Sequence, residues 1–194
     1  MKPEFKAIWD VIQKDYDIKV KHFQAYPKKV TNIIVGDSMV AYYKPTIDLH
    51  KQGIAGDTTK GLLKRLDAIH MWQPHRVFIH IGTNDIVFTH DDDYTIVSRI
   101  QSIVDQLSMY DVYVILPLPI DPSFFEIQDQ PRTSSRVYAL KEVMHKNIKE
   151  AMIINMYDAF LCGDVLCRSL HTDGLHLNQQ GYEIYESFLK AYLR

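Results

Sequence analysis

Runs of consecutive apolar residues recur along the chain, and each run ends in polar or turn-forming residues. The clearest lie at 30–35, 76–81 and 112–116, where β-branched and aromatic residues dominate. Such runs are typical of strands that are buried on both faces of a parallel sheet. Two weaker runs, at 47–50 and 152–156, predict two further strands.

Between these runs, apolar residues repeat at helical spacing. Five amphipathic helices are predicted, with core stripes at Phe5, Ile8, Trp9, Ile12 and Tyr16; at Leu62, Leu63, Leu66 and Ile69; at Ile96, Ile100, Ile103 and Leu107; at Val137, Leu140, Met144 and Ile148; and at Ile184, Tyr185, Phe188, Leu189 and Tyr192. Thr58 or Thr59 can cap the second helix. Alternating strands and helices predict right-handed βαβ units, and therefore an α/β fold whose parallel sheet has helices on both faces. We expect the first helix to pack beside the first strand.

Length and composition narrow the class of protein. The 194 residues fit one domain, 1–194, in which 1–29 form a helical N-terminal preface. A net charge of -2 argues against nucleic-acid binding. No apolar run approaches the ~20 residues of a membrane span, and charges occupy the positions of a signal-peptide core, so we expect no integral membrane association and a cytoplasmic location. Two cysteines, Cys162 and Cys167, are too few for a disulfide framework and are expected to be bystanders.

The first candidate for chemistry stands at the end of the first predicted strand. Gly36-Asp37-Ser38 directly follows the apolar run. Ligands of open α/β sheets bind beyond the carboxyl ends of the strands, so a hydroxyl delivered there is in position to react. The same three residue types are also common in ordinary turns, and the tripeptide alone does not identify a nucleophile.

A second candidate lies between the last strand and the last helix. Asp173 stands three residues before His176 on a loop that contains glycine. The carboxylate can hydrogen-bond one ring nitrogen and leave the other to act as a base, although a purely structural hydrogen bond is the commoner meaning of this spacing. Together with His171, these two residues could also bind a metal ion, but no fourth ligand is evident.

Four stretches in this order resemble the SGNH hydrolases, the GDSL esterase/lipase superfamily. They are Gly-Asp-Ser at 36–38, Gly-x-x-Gly-Asp-Thr at 53–58, Gly-Thr-Asn-Asp at 82–85 and Asp-Gly-Leu-His at 173–176, with Met39 where the family name has leucine. The chain is most similar to the small platelet-activating-factor-acetylhydrolase-like branch. The resemblance implies a three-layer flavodoxin-like fold with a five-stranded parallel sheet. It also implies a carboxylic ester hydrolase that needs neither cofactor nor metal.

The resemblance assigns roles to individual residues. Ser38 would be the nucleophile, His176 its base, and Asp173 the carboxylate that orients the imidazole. The backbone N–H groups of Ser38 and Gly56 and the side-chain amide of Asn84 would hold the oxyanion. Gly56 would be needed because a Cβ there would intrude on the substrate. The neighbouring residues Asp37, Thr83 and Asp85 would hold the loops in place.

The expected substrate is a small-molecule acyl ester. We predict that Tyr42, Tyr43, Phe88, Leu118 and Leu175 contact it. Because the chain offers little material for a lid over a deep cleft, acetyl to butyryl esters are expected to be preferred. A thioesterase or a lysophospholipase with the same triad remains an alternative, as does a catalytically silent binding module. The sequence does not predict the oligomeric state.

Overall fold

Five parallel strands form the central sheet of the protein. The computed structural model describes residues 3–127 and 130–193. The strands are β1 Asn32–Gly36, β2 His50–Gly53, β3 Arg76–His80, β4 Asp111–Ile115 and β5 Met152–Ile154. They pair in the order β2-β1-β3-β4-β5. The predicted α/β fold with a five-stranded parallel sheet is therefore confirmed, and β2 begins three residues later than expected.

Eight α-helices accompany this sheet in the described ranges. They are α1 Pro3–Ala25, α2 Ser38–Tyr42, α3 Thr59–Lys64, α4 Leu66–His70, α5 Thr83–Phe88, α6 Asp93–Gln106, α7 Ser134–Asn147 and α8 Gln179–Lys190. Short 3-10 turns lie at Pro122–Phe124, Tyr157–Phe160 and Arg168–Leu170. Side-chain caps define several helix starts, because each satisfies a backbone N–H left unpaired in the first turn; the capping residues are Thr58, Asp92, Thr133 and Asn178. No helix of the described ranges is long and apolar enough to cross a membrane.

One predicted helix is two helices in the structure. Leu62, Leu66 and Ile69 of the stripe are buried and Leu63 is partly buried. The backbone leaves helical geometry at Arg65, where φ is -116° and ψ is 20°. Arg65 is buried, and its Nε donates to Asp57 Oδ2 at 2.9 Å. The interruption turns this arginine inward onto a buried carboxylate, a partner that apolar spacing does not indicate.

Successive residues of a strand pack into two separate parts of the core, one on each face of the sheet. Ile33 and Val35 point to the side covered by α3, α4, α6 and α7, whereas Ile34 points to the side covered by α2 and α8. This alternation follows from the two-residue repeat of a strand. The three-layer arrangement is therefore present, with all three of these side chains fully buried.

The first helix lies at a different place from the one expected. Instead of lying beside β1, α1 contacts α4 and α5. The Trp9 ring lies 5.2 Å from that of Phe88, Tyr16 Oη donates to the Gly61 carbonyl at 2.6 Å, and Trp72 Nε1 donates to the Phe23 carbonyl at 2.7 Å. The contacts of Trp9 and Tyr16 place the first part of α1 near the carboxyl ends of the strands, whereas Phe23 meets Trp72 near their amino ends, just before β3.

The two cysteines are not bystanders, because they form a disulfide. Cys162 and Cys167 are bonded, with their Cα atoms 4.7 Å apart. They close an antiparallel hairpin of β6 Leu161–Cys162 and β7 Val165–Leu166, which the apolar pattern did not predict. Two cysteines cannot make a framework, but a single pair can still close a local loop.

Candidate active site

Ser38 stands at the junction of β1 and α2. It is the first residue of α2, so its backbone N–H has no partner within the helix. Asp37 caps the helix by accepting the N–H of Met39 at 2.9 Å, and this bond holds the turn that carries Ser38. Strand β1 is flanked by β2 on one side and β3 on the other, where the chain reverses its direction across the sheet. Ser38 therefore lies at the topological switch point, where α/β sheets bind ligands.

The loop before α8 brings His176 to this serine. His176 Nε2 lies 2.9 Å from Ser38 Oγ, and His176 Nδ1 lies 2.6 Å from Asp173 Oδ2. The other oxygen of Asp173 accepts the backbone N–H groups of Leu175 at 3.0 Å and His176 at 2.7 Å. Gly174 has a φ of +84°, which lets the loop turn tightly enough for this arrangement. The three predicted residues thus lie in a hydrogen-bonded row.

Electrostatics determine which nitrogen of His176 is available. Burial alone would raise the pKa of Asp173, but the hydrogen bonds from the His176 side chain and backbone lower it below the ordinary value. An ionised carboxylate only accepts hydrogen bonds, so the proton of neutral imidazole lies on Nδ1. Nε2 is then free to accept the hydroxyl proton of Ser38.

The backbone of Gly56 and the side chain of Asn84 lie at the same edge. Gly56 has a φ of +76°, and a Cβ there would stand 2.2 Å from Ile12 Cδ1 of α1. The positive φ therefore favours glycine here whether or not a substrate approaches, and a side chain would also require Ile12 of α1 to shift. Asn84 belongs to the first turn of α5, and its Nδ2 donates to the Asp57 carbonyl at 3.0 Å.

Three buried carboxylates support these loops from below. Burial raises the pKa of Asp37 to about 7 and that of Asp57 to about 6, and it also raises the pKa of Asp85. Asp85 accepts the N–H of Thr59 at 2.9 Å and a guanidinium N–H of Arg99 at 2.9 Å. Asp37 and Asp85 thus hold loops in place, as the sequence predicted.

A cleft of about 430 Å³ opens beside Ser38. Most of its walls are apolar, and they come from α1, from α5, from the 3-10 turn at Pro122–Phe124 with the segment after it, and from the loop before α8. The apolar lining side chains are Phe5, Ile8, Ile12, Val87, Phe88, Phe124, Phe125, Ile127 and Leu175. Ser38, His176, Asn84 and Gly56 all reach this cleft.

The five residues expected to contact substrate divide into two groups. Tyr42, Phe88 and Leu175 line the cleft, and the Tyr42 ring lies 5.0 Å from that of His176. The prediction was wrong for Tyr43 and Leu118, which are buried in the part of the core that α2 and α8 cover. Tyr43 stacks on Tyr182 and donates to Glu186 Oε2 at 2.7 Å, so it ties α2 to α8 instead of facing the cleft.

His171 supports the loop that carries the candidate acid and base. Its Nδ1 accepts the N–H of Gly174 at 2.8 Å, and the ring is buried. Among the residues that the structure describes, no group of three or more His, Cys, Asp or Glu side chains is arranged to hold a metal ion. The metal site with Asp173 and His176 is therefore not formed.

Two features of the cleft were missed by sequence reasoning. The first is the contribution of α1, whose apolar stripe was recognised without its partner. The second is Arg132, which is buried, lines the cleft and donates to Asn84 Oδ1 at 2.6 Å. Arg132 lies in an irregular segment just before α7 that carries no apolar pattern, so no signal in the chain pointed to it.

Comparisons with known proteins give one family model and several structures of the same fold. Residues 34–184 match the model of the GDSL-like lipase/acylhydrolase family. No curated protein sequence gives a significant match. A protein from Streptococcus pneumonia described as a platelet activating factor superimposes with a TM-score of 0.85 at 20% identity, covering 98% of each chain.

Two further solved structures share the fold. A lipase/acylhydrolase from Enterococcus faecalis has a TM-score of 0.72 at 22% identity, covering 84% of this chain and 95% of that one. An acetyl xylan esterase has a TM-score of 0.69 at 17% identity, covering 84% of this chain and 100% of that one. At these identities the structures establish a common fold.

Proposed function

The chain belongs to the GDSL-like lipase/acylhydrolase family, and from this premise we propose that it is a serine esterase that hydrolyses short-chain carboxylic esters through an acyl-Ser38 intermediate. The observation that carries the proposal is the row from Ser38 Oγ to His176 Nε2 at 2.9 Å and from His176 Nδ1 to Asp173 at 2.6 Å. This is the contact that a serine needs for activation, because its hydroxyl is a weak nucleophile until a base removes the proton.

The proposed reaction has two halves. Ser38 Oγ attacks the ester carbonyl carbon while its proton passes to His176 Nε2, and Asp173 stabilises the imidazolium that forms. The tetrahedral oxyanion is held by the N–H groups of Ser38 and Gly56 and by Asn84 Nδ2. Collapse expels the alcohol, which takes the proton from His176. Water then attacks the acyl-serine with the same base, releasing the carboxylic acid and restoring Ser38.

The cleft supports a small acyl group. Its volume of about 430 Å³ is near the lower end of small-molecule sites, which run from ~300 to ~1,000 Å³. Each buried CH₂ contributes ~0.8 kcal/mol only while it finds apolar partners. We therefore propose a preference for acetyl to butyryl esters, with Tyr42, Phe88 and Leu175 among the contacts. The acetyl xylan esterase of the same fold is named for an acetyl ester substrate.

The test combines labelling with a panel of substrates. A fluorophosphonate should modify Ser38, located by peptide mass, and p-nitrophenyl esters from acetate to palmitate should give the highest kcat/KM at four carbons or fewer. Ser38→Ala is the matched control, and it should lose at least ~10³-fold in activity while keeping the native circular dichroism spectrum.

Other outcomes would redirect the proposal. A rate optimum at dodecanoate or longer would contradict the short-chain preference and favour a lysophospholipase. Faster hydrolysis of matched thioesters than of oxygen esters would favour a thioesterase. An unlabelled Ser38 with no hydrolysis would favour a binding module.

The cytoplasmic location stays a prediction. It is tested by counting free thiols in protein taken from its own cells, because disulfides rarely persist in the cytosol. An intact Cys162–Cys167 disulfide in that protein would contradict it.

A further inference from the structure

We propose that Arg132 is a positioning residue that fixes the orientation of the Asn84 amide for oxyanion binding; this inference rests on the proposed function. Arg132 comes from the irregular segment before α7, and Asn84 comes from the first turn of α5, 48 positions earlier. Arg132 Nη2 donates to Asn84 Oδ1 at 2.6 Å, and Arg132 Nε donates to the Thr83 carbonyl at 3.3 Å. The guanidinium therefore binds both the Asn84 side chain and the backbone at the start of α5.

The amide of Asn84 must point in one of two directions. If Oδ1 faced the developing oxyanion it would repel it, and only Nδ2 can donate a hydrogen bond there. Two partners favour the productive direction. Arg132 can only donate and therefore requires Oδ1, whereas the Asp57 carbonyl can only accept and takes one Nδ2 proton at 3.0 Å. The second Nδ2 proton is then left for the oxyanion.

The charge of Arg132 adds to this geometric effect. Burial lowers the pKa of Arg132 to about 10, against the opposing influence of Asp37 and Asp173, so the side chain remains a cation at neutral pH. Hydrogen bonds from charged donors are roughly twice as strong as those between neutral groups. A cation on Oδ1 also draws electron density from the amide, which makes its N–H groups better donors. A neutral residue of the same length would supply neither effect.

The experiment is a double-mutant cycle on p-nitrophenyl acetate hydrolysis. Arg132→Met should lower kcat by about 10- to 100-fold with KM little changed, and Asn84→Ala by about 10²- to 10³-fold. The double variant should lose no more than Asn84→Ala alone, since Arg132 acts through Asn84. Arg132→Lys, which keeps the charge but cannot form the same pair of bonds, should fall between Arg132→Met and the unmodified protein. Thermal melting of each variant shows that it is folded.

Several results would overturn the inference. They are losses that multiply in the double variant, an effect of Arg132→Met confined to KM, and an unchanged kcat. If Arg132→Met fails to fold, Arg132→Lys with and without Asn84→Ala provides the same cycle.

A second readout separates this inference from the proposed substrate. The rate of Ser38 phosphonylation by a fluorophosphonate also depends on oxyanion binding, because the attacked P=O oxygen gains negative charge. Labelling without ester hydrolysis would overturn the substrate alone, and the cycle is then measured on labelling rates. No labelling of Ser38 at all would overturn both. If the unmodified protein hydrolyses the ester and Arg132→Met has the same kcat, only the role of Arg132 is overturned.

Discussion

At the scale of single residues, the site depends on which atoms of Asp173 and His176 carry protons. Asp173 uses one oxygen for two backbone N–H groups and the other for His176 Nδ1. The first oxygen holds the loop, and the second selects the tautomer. These two functions can be separated by a substitution that keeps one and changes the other.

Asp173→Asn makes that separation. Its Oδ1 can still accept the backbone N–H groups, so the amide would turn its NH₂ toward His176 Nδ1. The imidazole proton would then lie on Nε2 and face Ser38, which could no longer donate. We expect kcat to fall by about 10³- to 10⁴-fold with little change in KM or in melting temperature. Steady-state kinetics and thermal melting check this. A loss of less than tenfold would show that the tautomer is not controlled by Asp173.

Asp37 links the site to the pH dependence of stability. Burial raises its pKa from 3.8 to about 7. Its contribution to stability is therefore fully present below about pH 4, where the carboxyl is protonated in both states, and it is lost as the pH rises through 7. Asp37→Asn removes this loss and keeps an oxygen to cap Met39.

The expected result for Asp37→Asn is a gain in the free energy of unfolding, relative to the unmodified protein, that is larger at pH 8 than at pH 5. Urea unfolding at both pH values measures it. Asp164→Asn, at an exposed position in the hairpin turn, is the control and should show no such difference. An equal effect of Asp37→Asn at both pH values would contradict the raised pKa.

At the scale of elements, α1 contributes to the cleft from outside the part of the chain that matches the family model. The match to the family model begins at residue 34, so α1 lies outside the matched residues. The helix nevertheless supplies Phe5, Ile8 and Ile12 to the cleft, and its Trp9 packs on Phe88. An amphipathic helix has to bury its apolar face somewhere, and here part of that face borders the site.

We expect Ile8→Trp to shorten the range of accepted acyl chains. The larger ring would fill space that longer chains occupy, so kcat/KM for hexanoate should fall about tenfold more than that for acetate. The panel of p-nitrophenyl esters measures this ratio. Val11→Trp is the matched control, because Val11 is 67% exposed and does not line the cleft. Equal losses on acetate and hexanoate would show that α1 does not limit chain length.

At the scale of the whole molecule, one sheet connects both halves of the core. Val35 packs with α3 and α6 on one face, and its neighbour Ile34 packs with α2 and α8 on the other. Loss of either layer would expose the strands that the other layer also needs. We propose that the chain forms a single domain, and this organisation predicts one cooperative unfolding transition.

Calorimetry tests this organisation. The calorimetric and van't Hoff enthalpies should agree, and the far-ultraviolet circular dichroism and tryptophan fluorescence curves should coincide. Trp9 lies in α1 and Trp72 beside it, so the fluorescence reports on the docking of that helix. A separate fluorescence transition at lower temperature would show that α1 unfolds on its own.

Much of the fold, and the positions of the candidate reacting groups, were determined by the sequence itself. An apolar run that ends in Gly36-Asp37-Ser38 predicts a buried strand with polar residues at its end, and parallel strands bring such ends to one edge. The spacing of Asp173 and His176 similarly requires only a short loop for the two side chains to meet. These are local rules, and the chain order expresses them directly.

Tertiary structure alone decided which other side chains share that edge. Helical spacing shows that α1 has an apolar face but does not name the surface that covers it, and Arg132 lies in an irregular segment with no periodicity at all. Tyr42 and Tyr43 are adjacent and chemically alike, yet one lines the cleft and the other is buried against α8. Cys162 and Cys167 are partners because the hairpin of β6 and β7 brings their side chains together. Apart from the local cysteine hairpin, each of these outcomes depends on packing between segments that are distant or irregular in the chain, where no repeating pattern records the contact.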